Sequence, residues 1–213
     1  MRGLVALGDS ITLGEGGSVL GVTCLSWAQW LARALDLPYT CYARNGAVAR
    51  DVLAEQLPRV RPGHDLGCLY AGVNDVRGPG FDPAAYERDL LATAQGLLAR
   101  CDRLLLCTIP LDLGRPRAAP KPAVAGAAIR RVAAATDAAV CDLDDLAGRV
   151  LLWPDAVHPT AVGQLEIADR AARALRSSVL PSSLADVPHG PVASLRHGPA
   201  YLRVAIRERI RRH

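Results

Sequence analysis

Short apolar runs alternate with longer amphipathic stretches along most of the chain. Five runs have the length and the bounding turn residues of buried strands: Gly3–Leu7, Tyr39–Ala43, Leu66–Ala71, Leu104–Ile109 and Ala139–Leu143. Five stretches have the periodicity of helices: Ser26–Leu35, Val48–Leu57, Pro83–Arg100, Val124–Thr136 and Thr160–Leu175. This alternation predicts right-handed βαβ units, and therefore an α/β fold with a mostly parallel five-stranded sheet covered by helices on both faces.

Local signals support three of the predicted helix starts. Ser26 and Gln29 have the spacing of a capping box, and Asp82 precedes a proline at the first helical position. Thr160 is the predicted cap of the last helix. Residues 110–122 are rich in proline and are predicted to form a loop.

Polar residues cluster where the predicted strands end. They are Gly8-Asp9-Ser10 after the first strand, Asn45-Gly46 after the second, Gly72-Val73-Asn74-Asp75 after the third, and Asp155 with His158 beyond the fifth. Open parallel sheets bind their ligands outside the carboxyl ends of the strands. We therefore expect these residues to lie near a functional site.

Ser10 directly follows the first predicted strand, but a serine hydroxyl is a weak nucleophile unless a base removes its proton. His158 is the candidate base. Asp155 lies three residues before it, so that its carboxylate can turn back onto the imidazole Nδ1–H and leave Nε2 facing the serine. These three side chains predict a nucleophilic triad.

Attack of a serine on an ester carbonyl creates an oxyanion, which needs hydrogen-bond donors aimed at the developing charge. Three candidate donors follow neighbouring strands: the backbone N–H of Ser10, the backbone N–H of Gly46 and the side-chain amide of Asn74. A glycine suits this position because the missing Cβ lets a substrate approach the backbone closely.

The chain resembles GDSL-type esterases of the SGNH hydrolase superfamily in four short sequence blocks that occur in the same order. These blocks are Gly8-Asp9-Ser10, Asn45-Gly46, Gly72-Val73-Asn74-Asp75 and Asp155 to Pro159. The resemblance covers about residues 3–175. It implies a flavodoxin-like three-layer α/β/α sandwich, a triad of Ser10, His158 and Asp155, and an oxyanion hole of Ser10, Gly46 and Asn74. It also implies that the substrate is an acyl ester, or in some members a thioester or amide, and that no cofactor is needed. Our leading hypothesis is a small acyl ester.

Three functions remain open on this evidence. The first is a serine hydrolase that passes through an acyl-enzyme, and the second is an acyltransferase that uses the same residues with an acceptor other than water. The third is a binding module that acts through the basic C-terminal tail. Asn45 and Asp75 are predicted to brace the loops of the site rather than to touch the substrate, and Asp9 is predicted to support the site by accepting backbone N–H bonds in the serine turn.

The chain shows none of the motifs of three other enzyme classes. It has no G-x-S-x-G elbow of an α/β-hydrolase and no phosphate-binding P-loop. It also lacks H-E-x-x-H and any Cys/His ligand spacing, so no metal site is predicted. Four cationic side chains in two loops near the predicted site either bind an anionic group of the substrate or are solvated: Arg77, Arg115, Arg117 and Lys121.

Charge divides the 213 residues into a neutral body and a basic tail. Residues 1–176, the predicted hydrolase domain, carry equal numbers of basic and acidic side chains, which makes nucleic acid an unexpected partner. Residues 177–213 hold the whole net charge of +4. We expect this tail to be irregular at first and then to form an amphipathic helix over Tyr201–His213, docked on its own body, on a second copy or on an anionic surface.

The sequence favours a cytoplasmic location. It has neither a signal-peptide pattern at its start nor an apolar segment long enough to span a bilayer. Its cysteines are interpreted as reduced and mostly buried thiols: Cys24, Cys41, Cys68, Cys101, Cys107 and Cys141.

Overall fold

The structure is a computed structural model that describes residues 2–15, 18, 21–185, 198, 199, 201, 202, 204 and 206. Five strands form one parallel sheet: β1 (Leu4–Gly8), β2 (Tyr39–Cys41), β3 (His64–Tyr70), β4 (Cys101–Cys107) and β5 (Ala139–Cys141). Their order is β2-β1-β3-β4-β5, the flavodoxin-like arrangement. The predicted five-stranded parallel sheet is confirmed.

Helices cover this sheet on both faces. They are α1 (Ser10–Leu13), α2 (Trp27–Ala34), α3 (Ala49–Asp51), α4 (Val73–Arg77), α5 (Pro83–Leu98), α6 (Lys121–Ala135) and α7 (Ala161–Ala174). Helix α2 packs against α7, and α5 packs against α6. All residues of β1 are buried, as a central strand with helices on both sides requires.

Two strands are longer at their N-terminal ends than the apolar pattern predicts. His64 pairs with Cys101 in the ladder, so β3 begins two residues early and β4 three residues early. Polar residues at these ends interrupt the apolar run without breaking the backbone hydrogen bonds. At the other ends, β2 and β5 stop at Cys41 and Cys141, each two residues before its predicted limit.

The segment after β2 is not the regular helix predicted over Val48–Leu57. Helix α3 is continued by a π-helical turn over Val52–Gln56 and a 3₁₀ turn over Leu57–Arg59. Pro58 has no N–H to donate, and past it the hydrogen bonding continues only as the 3₁₀ turn, in which the N–H of Val60 bonds the carbonyl of Leu57 at 3.1 Å. The predicted proline-rich loop is also slightly too long, because α6 already begins at Lys121 and accommodates Pro122 in its first turn.

Part of the tail packs on the body. A 3₁₀ turn spans Pro181–Leu184, and all of the described residues from 198 to 206 are helical. The guanidinium of Arg149 lies 5.8 Å from the ring centroid of Tyr201, within cation–π range. The rest of the predicted tail helix lies outside the described residues. In the described part of the chain, no helix has both the length and the apolar character needed to cross a membrane.

Candidate active site

Ser10 is held where β1 gives way to α1. Asp9 caps this short helix by accepting the backbone N–H of Ile11 at 3.0 Å. The buried amide of Gln56 bonds both backbone groups of Gly8, at 2.9 Å to its N–H and 2.8 Å to its C=O. The serine therefore sits on a backbone that is fixed on both sides, with its side chain at the carboxyl edge of the sheet.

A chain of hydrogen bonds joins Ser10 to His158 and Asp155. The serine Oγ lies 3.1 Å from His158 Nε2, and His158 Nδ1 lies 2.6 Å from Asp155 Oδ2. The other oxygen of Asp155 accepts the backbone N–H groups of Val157 and His158 at 2.9 and 3.1 Å. The carboxylate is thereby oriented by its own turn, and it in turn orients the imidazole.

The pKa of His158 is raised and the pKa of Asp155 is lowered. The hydrogen bond to Asp155 raises the pKa of His158, and the nearby carboxylates add to that effect, although burial opposes it. Burial alone would raise the pKa of Asp155, but its bonds to the imidazole and to backbone N–H groups outweigh burial and lower the pKa. Asp155 is therefore a stable anion that supports a positive charge on His158.

Three hydrogen-bond donors follow the adjacent strands β1, β2 and β3. The backbone N–H groups of Ser10 and Gly46 have no acceptor among the described residues. Gly46 has φ +73° and is exposed, and an added Cβ would meet nothing within 4 Å, so a ligand has room beside this residue. Asn74 donates one of its amide hydrogens to the carbonyl of Ala47 at 3.1 Å, which leaves the other hydrogen for a ligand.

The three residues predicted to support the site lie in its loops. Asp75 accepts the N–H of Ala49 with both oxygens, at 3.2 and 3.1 Å, and so joins the β3 loop to the start of α3. Asn45 contacts the side chain of Glu15. The second oxygen of Asp9 is buried without a partner in the described structure, and burial raises the pKa of Asp9 to about 7.

Glu15 is a part of this site that sequence reasoning missed. Its position suggests only a loop, yet its Oε2 lies 3.4 Å from His158 Nε2. Its other oxygen accepts a hydrogen bond from the Asn45 side-chain amide. The imidazole therefore faces a carboxylate at each nitrogen. The sequence signal is weak, since nothing except proximity to Ser10 marks this glutamate.

Three of the four loop cations form ion pairs or hydrogen bonds within the protein. Asp112 pairs with Arg115 at 2.9 Å and with Arg117 at 2.7 Å, and Lys121 donates to the carbonyl of Gly78 at 2.7 Å. Arg77 is exposed beyond Asn74. No group of three or more potential metal ligands occurs in the described part of the chain.

An open cavity of about 320 Å³ borders the site on the α5 side. It shares Asn74 with the donor set and reaches Phe81 and Tyr86, whose rings pack with their centroids 5.7 Å apart. The hydroxyl of Tyr86 bonds the carbonyl of Ala71 at 2.9 Å, which fixes this wall of the cavity relative to β3.

Solved structures with low sequence identity share this fold. An acetyl xylan esterase from Geobacillus stearothermophilus is 19% identical with a TM-score of 0.64, and the match covers 82% of this chain and 94% of that one. An alpha/beta hydrolase enzyme from the metagenome of Lake Arreo, Spain, is 22% identical with a TM-score of 0.64. The match covers 81% of this chain and 94% of that one. A search of curated proteins finds no match.

Family comparison gives a more specific result. The model of the GDSL-like Lipase/Acylhydrolase family matches residues 6–165, which include every residue of the predicted site. This range runs from inside β1 into α7 and so includes β2 to β5 completely and most of β1. The chain therefore belongs to the GDSL-like lipase/acylhydrolase family and is a carboxylic ester hydrolase.

Proposed function

We propose that the protein cleaves a small acyl ester through a Ser10–His158–Asp155 triad. One observation carries the proposal: the three side chains form a continuous hydrogen-bonded chain. Ser10 Oγ lies 3.1 Å from His158 Nε2, and His158 Nδ1 lies 2.6 Å from Asp155 Oδ2. Both links are within hydrogen-bond distance. The serine can therefore lose its proton to the imidazole as it attacks.

In the first half-reaction, Ser10 Oγ forms a bond to the ester carbonyl carbon while its proton moves to His158 Nε2. The carbonyl π electrons move onto oxygen. As the tetrahedral intermediate collapses, the bond to the leaving alcohol oxygen breaks and that oxygen takes the proton from Nε2. The acyl group remains on the serine, and Asp155 stabilises the transient imidazolium without itself becoming protonated.

The oxyanion is assigned to the N–H groups of Ser10 and Gly46 and the side-chain amide of Asn74. Donors that lack other acceptors need no reorganisation when the negative charge develops, and this preorganisation is a large source of rate acceleration. Water then repeats the same steps, giving its proton to His158, attacking the acyl carbon and releasing the free acid and Ser10.

We expect the acyl group of the preferred substrate to be short. The acetyl xylan esterases that share this fold act on acetyl esters by name, and catalytic mutants of one of them replace a serine, an aspartate and a histidine. That residue set has the same chemistry as Ser10, Asp155 and His158. We therefore propose an acetyl or similarly small acyl group.

A series of p-nitrophenyl esters from C2 to C12 tests both parts of the proposal. We expect the highest kcat/KM at the short end and a loss of about 10⁴-fold or more in Ser10→Ala. Ser183→Ala, at a serine in the 3₁₀ turn over Pro181–Leu184, is the matched control and should retain activity. Full activity in Ser10→Ala would refute the nucleophile. A transfer product that outcompetes hydrolysis when glycerol is added would identify an acyltransferase.

We further propose a cytoplasmic location on the basis of the thiols. The structure pairs none of the six cysteines, and four are buried: Cys68, Cys101, Cys107 and Cys141. Burial raises the pKa of each of Cys68 and Cys107 well above the ordinary thiol value, which makes them unreactive. Protein unfolded without reductant should take up six equivalents of an alkylating agent; a smaller number would indicate disulfides and an oxidising compartment.

A further inference from the structure

Glu15 occupies a position that the proposed triad does not need. A serine, a histidine and one aspartate complete the proton path, yet a second carboxylate lies 3.4 Å from the catalytic nitrogen of His158. Its side chain is 45% exposed, so it is available to a ligand rather than sealed in the interior. Asn45 contacts its other oxygen and holds it in place.

The chemistry of ester cleavage indicates which part of the substrate lies beside Glu15. The leaving alcohol oxygen must take its proton from His158 Nε2, so it lies about 3 Å from that atom. Glu15 is almost equally close to the same atom. Substituents on the carbon next to the ester oxygen are therefore within reach of the carboxylate. The alcohol, rather than the acyl group, is the part of the substrate that Glu15 contacts.

The polar groups on this side determine what kind of alcohol fits. An ionised carboxylate only accepts hydrogen bonds, whereas a primary amide both donates and accepts. Together Glu15 and Asn45 match a hydroxyl that donates to the carboxylate and a second hydroxyl that exchanges hydrogen bonds with the amide. An alkyl alcohol offers neither group and would leave Glu15 without a partner on the substrate.

The surrounding charges disfavour an anionic alcohol. Asp9, Glu15 and Asp155 all lie close enough to raise the pKa of His158, and the hydrogen bond that the imidazole donates to Asp155 has the largest influence. The cation nearest in sequence to Asn45 is Arg44, which pairs with Asp51 and Glu55 at 3.2 Å each. A phosphate or carboxylate on the alcohol would be repelled by these carboxylates, and Arg44 is already engaged in its two ion pairs.

We propose that Glu15 and Asn45 form the alcohol subsite and select a neutral polyol that carries a hydroxyl next to the esterified carbon. This inference rests on the proposed function, since it assigns the alcohol half of that reaction. In it, Glu15 is a specificity-determining residue: it binds the hydroxyl beside the leaving oxygen and thereby places that oxygen next to His158.

Two acetate esters that differ only in hydroxyl groups test the proposal. Glycerol 1-acetate and n-propyl acetate share the acyl group and the chain length of the alcohol. The quantity to measure is the ratio of their kcat/KM values in wild type, Glu15→Gln and Asn45→Ala. The protonation of free His158 affects both substrates equally, so it cancels in this ratio.

We expect wild type to prefer the glycerol ester and Glu15→Gln to lower that preference about tenfold, because the neutral amide oxygen of Gln is a weaker hydrogen-bond acceptor than a carboxylate. Asn45→Ala should lower it by a smaller factor. Glu87→Gln is the matched control, because Glu87 pairs with Arg131 at 2.6 Å between α5 and α6, and it should leave the ratio unchanged. Thermal unfolding of each variant checks that the fold is intact.

Three outcomes would overturn the proposal. An unchanged ratio in a folded Glu15→Gln would show that the carboxylate does not contact the alcohol. A strong wild-type preference for acetylcholine that is lost in Glu15→Gln would show that the subsite binds a cation instead. An equal fall in kcat/KM on both esters would make Glu15 a positioning residue for His158. Failure of the proposed function is a separate result, in which wild type cleaves neither ester or Ser10→Ala cleaves both.

Discussion

Two clusters of carboxylates lie beyond strand ends of this sheet, and they differ in how their charges are balanced. The first, which we name the β5 cluster, consists of Asp142, Asp144 and Asp145 with Arg130 and Arg170. Arg130 bonds Asp142 at 2.7 Å and Asp144 at 2.8 Å, and Arg170 bonds Asp145. Its bond to Arg170 lowers the pKa of Asp145. Each carboxylate has a cationic partner.

The second cluster surrounds the imidazole of His158. Three carboxylates raise the pKa of this one imidazole: Asp155, Glu15 and Asp9. The N–H groups of Ser10 and Gly46 meet no acceptor among the described residues. Local charge is therefore unbalanced and donors are unused, which is the condition expected where charge moves during a reaction.

The largest expected effect is in Asp155→Asn. An asparagine that turns its amide toward Nδ1 stabilises the wrong imidazole tautomer, so kcat should fall by about 10⁴-fold. Steady-state kinetics on p-nitrophenyl acetate measures this loss. Asp145→Asn, in the β5 cluster, should leave kcat unchanged. A loss below tenfold in Asp155→Asn would mean that this carboxylate does not control the tautomer.

The next largest effect is in Asn74→Ala. Removal of one oxyanion donor costs about 10²–10³ in kcat, while KM changes little because the charge develops only in the transition state. Gln95→Ala, an exposed amide on α5, is the control and should behave as wild type. If KM rose and kcat stayed constant, Asn74 would bind the ground state and would not be part of an oxyanion hole.

The sheet and the helices α2, α5, α6 and α7 were predictable because they depend on local periodicity. β1 is apolar at four successive positions, Leu4 to Leu7, all with 0% exposure, as a strand covered on both faces must be. The polar residues after β1, β2 and β3 were predictable as neighbours for a related reason. Parallel strands that are adjacent in the sheet bring their carboxyl ends to one edge, whatever their separation in sequence.

Contacts that depend on loop conformation were not predictable. Gln56 lies 48 residues from Gly8 along the chain, and it reaches that residue only through a π-helical turn that no pattern indicated. Glu15 follows Gly14, which has φ +93° and ends α1 in the left-handed region. The direction of the chain after that glycine decides whether Glu15 faces His158, and periodicity carries no information about it.

The half-buried His158 and the buried His64 should titrate on opposite sides of the ordinary imidazole value of about 6.5. The bond to Asp155 raises the pKa of His158, whereas burial lowers that of His64. NMR of the imidazole protons measures both, with His158→Ala to assign the signals. The rising limb of kcat/KM should follow the higher value, since only neutral His158 accepts the serine proton. A flat profile from pH 5 to 8 would contradict this role for His158.

The smallest expected effect is in Arg130→Met, which removes the shared cation of Asp142 and Asp144. Partly exposed ion pairs contribute about 0–1 kcal/mol to the free energy of unfolding, and salt screens that contribution. Urea denaturation at low salt should show a loss within that range, and the loss should shrink at 1 M salt. Activity on p-nitrophenyl acetate should stay at the wild-type value. A tenfold fall in kcat in this variant would show that the β5 cluster acts on the reaction, and balanced charge would then no longer separate the two clusters.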